Sequence, residues 1–502
     1  MKSIPIKRTQ HRLLPDARRV LAKPYVPGEE MLTPGVPRAQ LLMERILAIP
    51  ESRLEGLLAE LMRQFEDRHD DFAHTLDLHY ELVAHHVPNT ARISPERRAL
   101  IGAYFTHEYS IEAAALFNPS IVPAPDQAGV PEGALRFMMS LRAVGEGHLS
   151  SIEFRTGMLD AHGGMNVDEP GTRLIGGMRR PPPDFNKARF RAKLLELGVD
   201  NALTTGVLSE LSDTFTQEAL DAALDALERN GPPHAISFET FKLIRMLASS
   251  NYVTTFPADS AVSERVIFPA GPHETHGMED ARFVQFTEDN GTKVYYATYT
   301  AYDGFEILPQ LIETTDFLRF RISTLNGAAA QNKGMALFPR RINGKFVMLS
   351  RKDRENLHLA TSDDMNHWEQ ATELFRPREP WELMQIGNCG SPIETEAGWL
   401  VLTHGVGPMR RYAIGALLLS LKDPREVIGH LPIPLLEPDE QEREGYVPNV
   451  VYTCGAIVHG PELIIPYGFS DAGIRVARVT LAELLRELAL NRPRPPTASK
   501  LN

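Results

Sequence analysis

The chain has 502 residues, room for two to four units at about 150 residues per domain, and its 43% hydrophobic and 24% charged content is an ordinary globular balance. A formal net charge of −12 leaves no global basic footprint for nucleic acid. The longest apolar run, YAIGALLLSL from Tyr412 to Leu421, falls far short of the roughly 18–20 residues that span a bilayer, so no membrane role is expected. The opening MKSIPIKRTQHRLLPDARRV is charged throughout, unlike a secretory signal. The two cysteines, Cys389 and Cys454, exclude a disulfide framework and point to a reducing, cytoplasmic setting.

Residues 1–115 read as a helical extension. From Pro37 to Val87 apolar residues recur at three- and four-residue steps, broken at Pro50, and a further helix is predicted from Ser94-Pro95-Glu96, a cap followed by proline at the first helical position. Short β-rich runs then begin at Phe117. A second helical block, about 165–250, interrupts them as an insertion: RRPPPDFNKARFRAKLLELG opens on a proline stop, and SDTFTQEALDAALDALERNGPP halts at Asn230-Gly231-Pro232. From about 250 to 478 the pattern is strand and turn. RRINGKFVMLSR places two alternating runs about an Asn-Gly, a strong hairpin signal. SPIETEAGWLVLTHGVG and GAIVHGPELIIPYGFSD repeat the plan, and hairpins recurring in this way suggest the blades of a β-propeller. Residues 479–502 read as a short helix, LAELLRELAL, and a disordered tail.

Loops that mix glycine with polar residues are where a propeller builds a site. Glu279-Asp280-Ala281-Arg282 precedes the strand RFVQF. Asp280 could serve as a general acid held by Arg282, or simply cap a turn. Lys333, Arg351 and His404 each end a separate strand; converging on one channel they would suit a phosphate, and taken singly they read as solvated surface. The HETH of His273 and His276 has a spacing of three on non-helical flanks, which does not fit a zinc-binding pair. His69, His74, His79, His85 and His86 scatter around a helix, and Cys454 reads as packing.

In order along the chain, FNPSI, SLRA, MEDARF, KGMALFPRRINGKFVMLSR, LATSDDMNHW, GSPIETEAGWLVLTHGVG, YAIGALLLSLKDP and GYVPNVVYTCGAIV with YGFSD resemble glycoside hydrolase family 130, the β-mannoside phosphorylases and related mannosidases. The resemblance covers about 115–478 without the insertion and implies a mainly β fold, a five-bladed propeller over 116–478. It implies that Asp280 is the sole proton donor, acting on the leaving sugar through the 3-hydroxyl, with inversion. Lys333, Arg351 and His404 fall at the positions of the phosphate ligands. Asn118, Arg142, Glu279, Arg282, Asn449, Tyr467 and Asp471 fall on stretches that line the sugar and phosphate sites.

An inverting hydrolase needs a second carboxylate to activate water; a phosphorylase needs cations to hold its anionic nucleophile. The retained Lys, Arg and His favour phosphorolysis of a non-reducing-end β-mannoside to α-mannose 1-phosphate, with inorganic phosphate as co-substrate and no metal or organic cofactor. The alternatives are a β-mannoside hydrolase drawing its base from Glu274, Glu394 or Glu146, and a propeller that binds sugar or protein without catalysis. Ala281 stands where the family motif has proline, which removes a fixed φ but no functional group. YGFSD, with Pro466 before Tyr467, also departs from the family pattern. The expected partners are a small oligosaccharide and phosphate. The helical regions would act either as a cover restricting the acceptor side or as a homo-oligomer interface.

Overall fold

The Asn-Gly hairpin forms as expected in the computed structural model, which describes residues 4–28, 37–88, 92–230 and 235–492. Asn343 and Gly344 both take positive φ, 53° and 78°, and the backbones of Ile342 and Lys345 bond each other at 2.9 and 3.1 Å. That is the turn whose twist matches the flanking strands. Ser94 likewise caps the helix Pro95–Tyr104, its side chain accepting from the Arg97 amide at 3.2 Å.

The molecule is mainly β, built as successive antiparallel runs. Ala115–Pro123, Leu135–Val144 and Ser150–Leu159 form a meander. Gly277–Thr287, Lys293–Tyr302, Ile307–Thr314 and Arg319–Thr324 form the next, extended outward by Tyr252–Thr255 and Met178–Arg180. A parallel pairing of Gly277 with Ser150 helps join these two into one twelve-stranded sheet. Ala336–Leu337, Phe346–Ser350, Leu357–Ser362 and Ala371–Phe375 make a third run; Gln385–Asn388, Gly398–Val406, Tyr412–Leu419 and Val427–His430 make a fourth. The last holds Val451–Tyr452, Glu462–Phe469 and Gly473–Thr480. Apolar cores lie between neighbouring runs, such as Phe338, Leu349, Trp399 and Leu417, all buried.

The reading of 1–115 as wholly helical needs correction. Among the described residues four α-helices lie between Arg38 and Tyr104, but Ile6–Leu13 is a strand paired antiparallel with Gly473–Thr480. Val20–Pro24 pairs with Thr106–Ser110. IKRTQHRL has apolar residues only at its ends, so its strand state comes from the partner edge and not from its own pattern. The helices of the insertion run from Lys187 to Ser249 around Phe190, Leu194, Leu224 and Ile244, preceded by short strands. The tail expected to be disordered, 493–502, lies outside the described residues.

Two buried charge clusters tie the N-terminal segment down. Arg19 lies 2.7 Å from Glu112 and 2.6 Å from Glu153, and Arg155 bridges the same two carboxylates at 2.6 and 3.2 Å, all four side chains buried. Burial, then repulsion from Glu153, pushes the Glu112 carboxyl up to about 7 against the pull of Arg155 and Arg19. Arg8 bonds Glu442, which is buried beneath the last sheet.

Candidate active site

The strand that carries Asp280 changes register between Glu279 and Arg282, and Asp280 itself sits at φ 55°. The strand Ala115–Pro123 does the same between Phe117 and Ser120, with Asn118 at φ 50°. Such bulges re-aim side chains, and here they bring the two residues together: Asn118 Nδ2 donates to Asp280 Oδ1 at 2.6 Å. Arg142, near the end of the neighbouring strand, reaches Asp280 Oδ1 at 3.3 Å and Glu279 Oε1 at 2.9 Å. Arg282 lies behind, donating to the Asp280 carbonyl at 3.0 Å and to the Tyr452 hydroxyl at 2.7 Å.

The cations approach from the next two runs. Lys333 Nζ pairs with Glu279 Oε2 and lies 5.6 Å from the centre of the Tyr302 ring. Beside it Gly334, at φ 85°, carries the chain past the Arg351 stem: its Cβ position is 3.5 Å from Arg351 Cδ and 3.9 Å from Arg282 Nη2, both ordinary contact distances. Arg351 Nη1 lies 3.0 Å from His404 Nε2. Gly387, directly opposite His404 across the strand pair, leaves both side chains their space, since a Cβ would come within 2.4 Å of Arg351 Cδ and 2.5 Å of His404 Cε1. Lys333, Arg351 and His404 therefore do converge.

Electrostatics divide the groups. Burial pushes the Asp280 carboxyl up, but Arg142, Arg282, the Asn118 amide and Lys333 together outweigh it and hold the carboxyl below its ordinary range. Asp471, at φ 49°, goes the other way: burial, then Asp280, lift it to about 6 against Arg142 and Arg410. Burial and then the Arg351 charge hold His404 well below the usual imidazole range. It is a neutral ring whose Nε2 accepts from the guanidinium, so it orients Arg351 and adds no positive charge of its own.

Residues 257–489 match the family model described as beta-1,4-mannooligosaccharide phosphorylase. A 1,2-beta-oligomannan phosphorylase of Thermoanaerobacter sp. is 34% identical over 224 residues, covering 42% of this chain and 71% of that protein. The chain belongs to glycoside hydrolase family 130. The beta-1,2-mannobiose phosphorylase of Listeria innocua is 33% identical over 230 residues, 44% of this chain, and the match spans 63% of the Listeria protein, just under two thirds of its length. A beta-1,4-mannooligosaccharide phosphorylase of Ruminococcus albus, also a relative, is 28% identical over 239 residues, with coverages of 44% and 70%.

Not every residue expected from the family motifs faces this centre. Tyr467 is fully buried, and its hydroxyl donates to Glu442 Oε1 at 2.5 Å, within the Arg8 and Arg475 cluster. Strand alternation turns it into the core, while Asp471, past the strand end, turns toward Arg142. Asn449, at φ 63°, accepts from Arg443 at 3.0 Å, and its carbonyl takes the Tyr412 amide, one ring away from His404. Tyr452 was missed. Its hydroxyl takes Arg282 and its ring lies 4.9 Å from that of His404, and only its place in the run VVYTCGA pointed to it.

Two of the three carboxylates considered as a hydrolytic base are held by other partners. Glu274 is buried and accepts from Tyr299 and Tyr252 and from the amides of Ala270 and Gly271. Glu394 forms a two-point pair with Arg340 at 2.8 and 2.6 Å. Glu146 is exposed on a loop whose backbone takes the Tyr109 hydroxyl. His273 bonds Ser250 and His276 lies against Tyr302, and among the described residues no three His, Cys, Asp or Glu side chains form a metal-ligand set.

Proposed function

We propose that this family 130 chain is an inverting β-mannoside phosphorylase that transfers a non-reducing-end mannosyl residue to inorganic phosphate, giving α-mannose 1-phosphate. The observation that carries the reading is the convergence of Lys333 and Arg351 beside Asp280, with Glu274 and Glu394 committed elsewhere. A phosphate held there needs no base, because it is already a nucleophile. The names of the relatives support the same reaction class.

In the reaction a phosphate oxygen forms a bond to C1 of the mannosyl ring as the bond to the leaving oxygen breaks. That oxygen takes the Asp280 proton, through the sugar 3-hydroxyl, and Asp280 is then reprotonated from solvent. The low affinity of the free Asp280 for its proton has a consequence. A phosphate on Lys333 and Arg351 offsets positive charge next to the carboxyl, so binding of the nucleophile raises the acid into its working form. Asn118 and Arg142 position the carboxylate; Glu279, Arg282, Asn449 and Asp471 complete the walls around the sugar and phosphate.

The reading includes a five-bladed propeller over 116–478, supported by five antiparallel runs in chain order, a helical extension before it, an insertion at about 165–250, and the helix Leu481–Leu490 after it. It calls for no cofactor beyond phosphate as co-substrate, and for a cytoplasmic setting. The test is incubation with β-1,2- and β-1,4-mannobiose, with and without phosphate. Phosphate-dependent mannose 1-phosphate, abolished in Asp280→Asn, is the expected result. Free mannose at the same rate without phosphate would make the protein a hydrolase, and no turnover of any β-mannoside would overturn the substrate assignment.

A further inference from the structure

A polar cavity of about 280 Å³ lies away from the catalytic residues, where the insertion meets the outer part of the sheet that carries Asp280. Its sheet wall is Arg319–Thr324, three strands out from Gly277–Thr287. At about 4.8 Å per strand this places it roughly 14 Å from the catalytic strand. Its other wall comes from the helix Lys187–Glu196 and the strand pair Phe185–Asn186 and Thr214–Phe215.

We propose that this cavity is a second, non-catalytic binding site for a neutral sugar residue. The lining sets the ligand, independently of the phosphorylase reading. Its charges are compensated within the protein: Arg189 donates to Asp364 at 2.7 Å, and Arg321 lies 3.8 Å from Asp184. An ionic ligand is therefore not called for. What remains is amide and hydroxyl chemistry. Asn366 Nδ2 donates to Ser323 Oγ at 2.8 Å, which leaves the serine proton free to turn to a ligand. Asn326 is 2% exposed; its Nδ2 donates to the Arg189 carbonyl at 3.2 Å, and its Oδ1 has no partner. A buried carbonyl oxygen without a donor is rare in a folded protein; this one lies beneath the cavity's surface, and a ligand hydroxyl reaches it once the Asn326 side chain turns. Phe185, fixed by stacking on Phe215 with ring centres 5.3 Å apart, adds an apolar surface for the C–H face of a sugar. The volume lies just below the roughly 300–1,000 Å³ of pockets for drug-sized molecules, which suits a single ring.

The test is the stoichiometry of β-1,2-mannobiose binding, measured calorimetrically in phosphate-free buffer on the full chain. Wild type should show two sites. Thr214→Trp, which fills the cavity from an exposed strand, should show one, with kcat on mannobiose unchanged; Ser323→Phe repeats the test from the opposite wall should the first variant melt early. Arg142→Ala should also show one site, the other one. A single site in wild type, lost in Arg142→Ala and kept in both filling variants, would overturn the proposal. Loss of a site in the filling variants, with Arg142→Ala binding as wild type does, would support the cavity and count instead against the catalytic assignment.

Discussion

Gly387→Ala tests the proposed phosphate site without touching a charged residue. Gly387 lies in a strand at an ordinary negative-φ or extended geometry, so alanine adds no backbone strain. Its Cβ would fall 2.4 Å from Arg351 Cδ and 2.5 Å from His404 Cε1, whereas carbon atoms pack at about 3.5–4.0 Å. His404 has little room to retreat: it is 1% exposed and lies against Tyr412 and Tyr452. Arg351 must yield by about 1 Å, and a misplacement of that size costs on the order of 100-fold. We expect kcat/KM for phosphate to fall about 100-fold, about 2.7 kcal/mol, with the KM for mannoside nearly unchanged. The assay is initial-rate formation of mannose 1-phosphate with phosphate varied at saturating mannobiose, alongside a melt to verify folding. A folded variant with less than about a threefold loss toward phosphate, or an equal loss toward both substrates, would refute the placement of phosphate on Arg351.

Asp280→Asn should lower kcat about 10²–10⁴-fold, the usual worth of a positioned acid, while calorimetric mannobiose affinity changes little; a mild kcat effect would deny Asp280 its role. Glu112 is raised from an ordinary 4.5 to about 7, so its share of stability is complete below 4.5 and is lost as pH rises through about 7. Glu112→Gln should flatten the fall in melting temperature over that window, and a parallel fall in both proteins would contradict the assignment. Burial pushes the thiol of Cys389 up to about 12 and that of Cys454 well above its ordinary value. Neither should react with iodoacetamide at neutral pH before unfolding, as mass spectrometry of the labelled chain would report.

What the sequence made legible was local. The Asn343-Gly344 turn and the Ser94 cap depend on residues a few positions apart, and both form as read. Asp280, Lys333, Arg351 and His404 stand next to turns at strand ends, so their short motifs identified them, although only the packing of separate runs shows that they meet. Tyr467 and Glu274 failed for the opposite reason. Each lies beside polar, site-like residues in sequence, yet the pleat or the buried loop directs it into the core, where Glu442 or the Tyr252 and Tyr299 hydroxyls satisfy it. The N-terminal strand was not readable at all, because a half-exposed edge strand has no hydrophobic pattern that demands one conformation.

That strand has a consequence for how the molecule is made. Arg8 meets Glu442 across 434 positions of chain. At ribosomal speeds of about 5–20 residues per second, the first strand waits roughly 20–90 s for its partner. A waiting strand edge is an invitation to aggregation. IKRTQHRL answers it with Lys7, Arg8 and Arg12, side chains that keep the segment soluble while alone. Arg8 then finds its carboxylate only when the last sheet arrives. The sheet that leads into Asp471, beside Arg142, can thus be closed only once Gly473–Thr480 has been made and meets Ile6–Leu13.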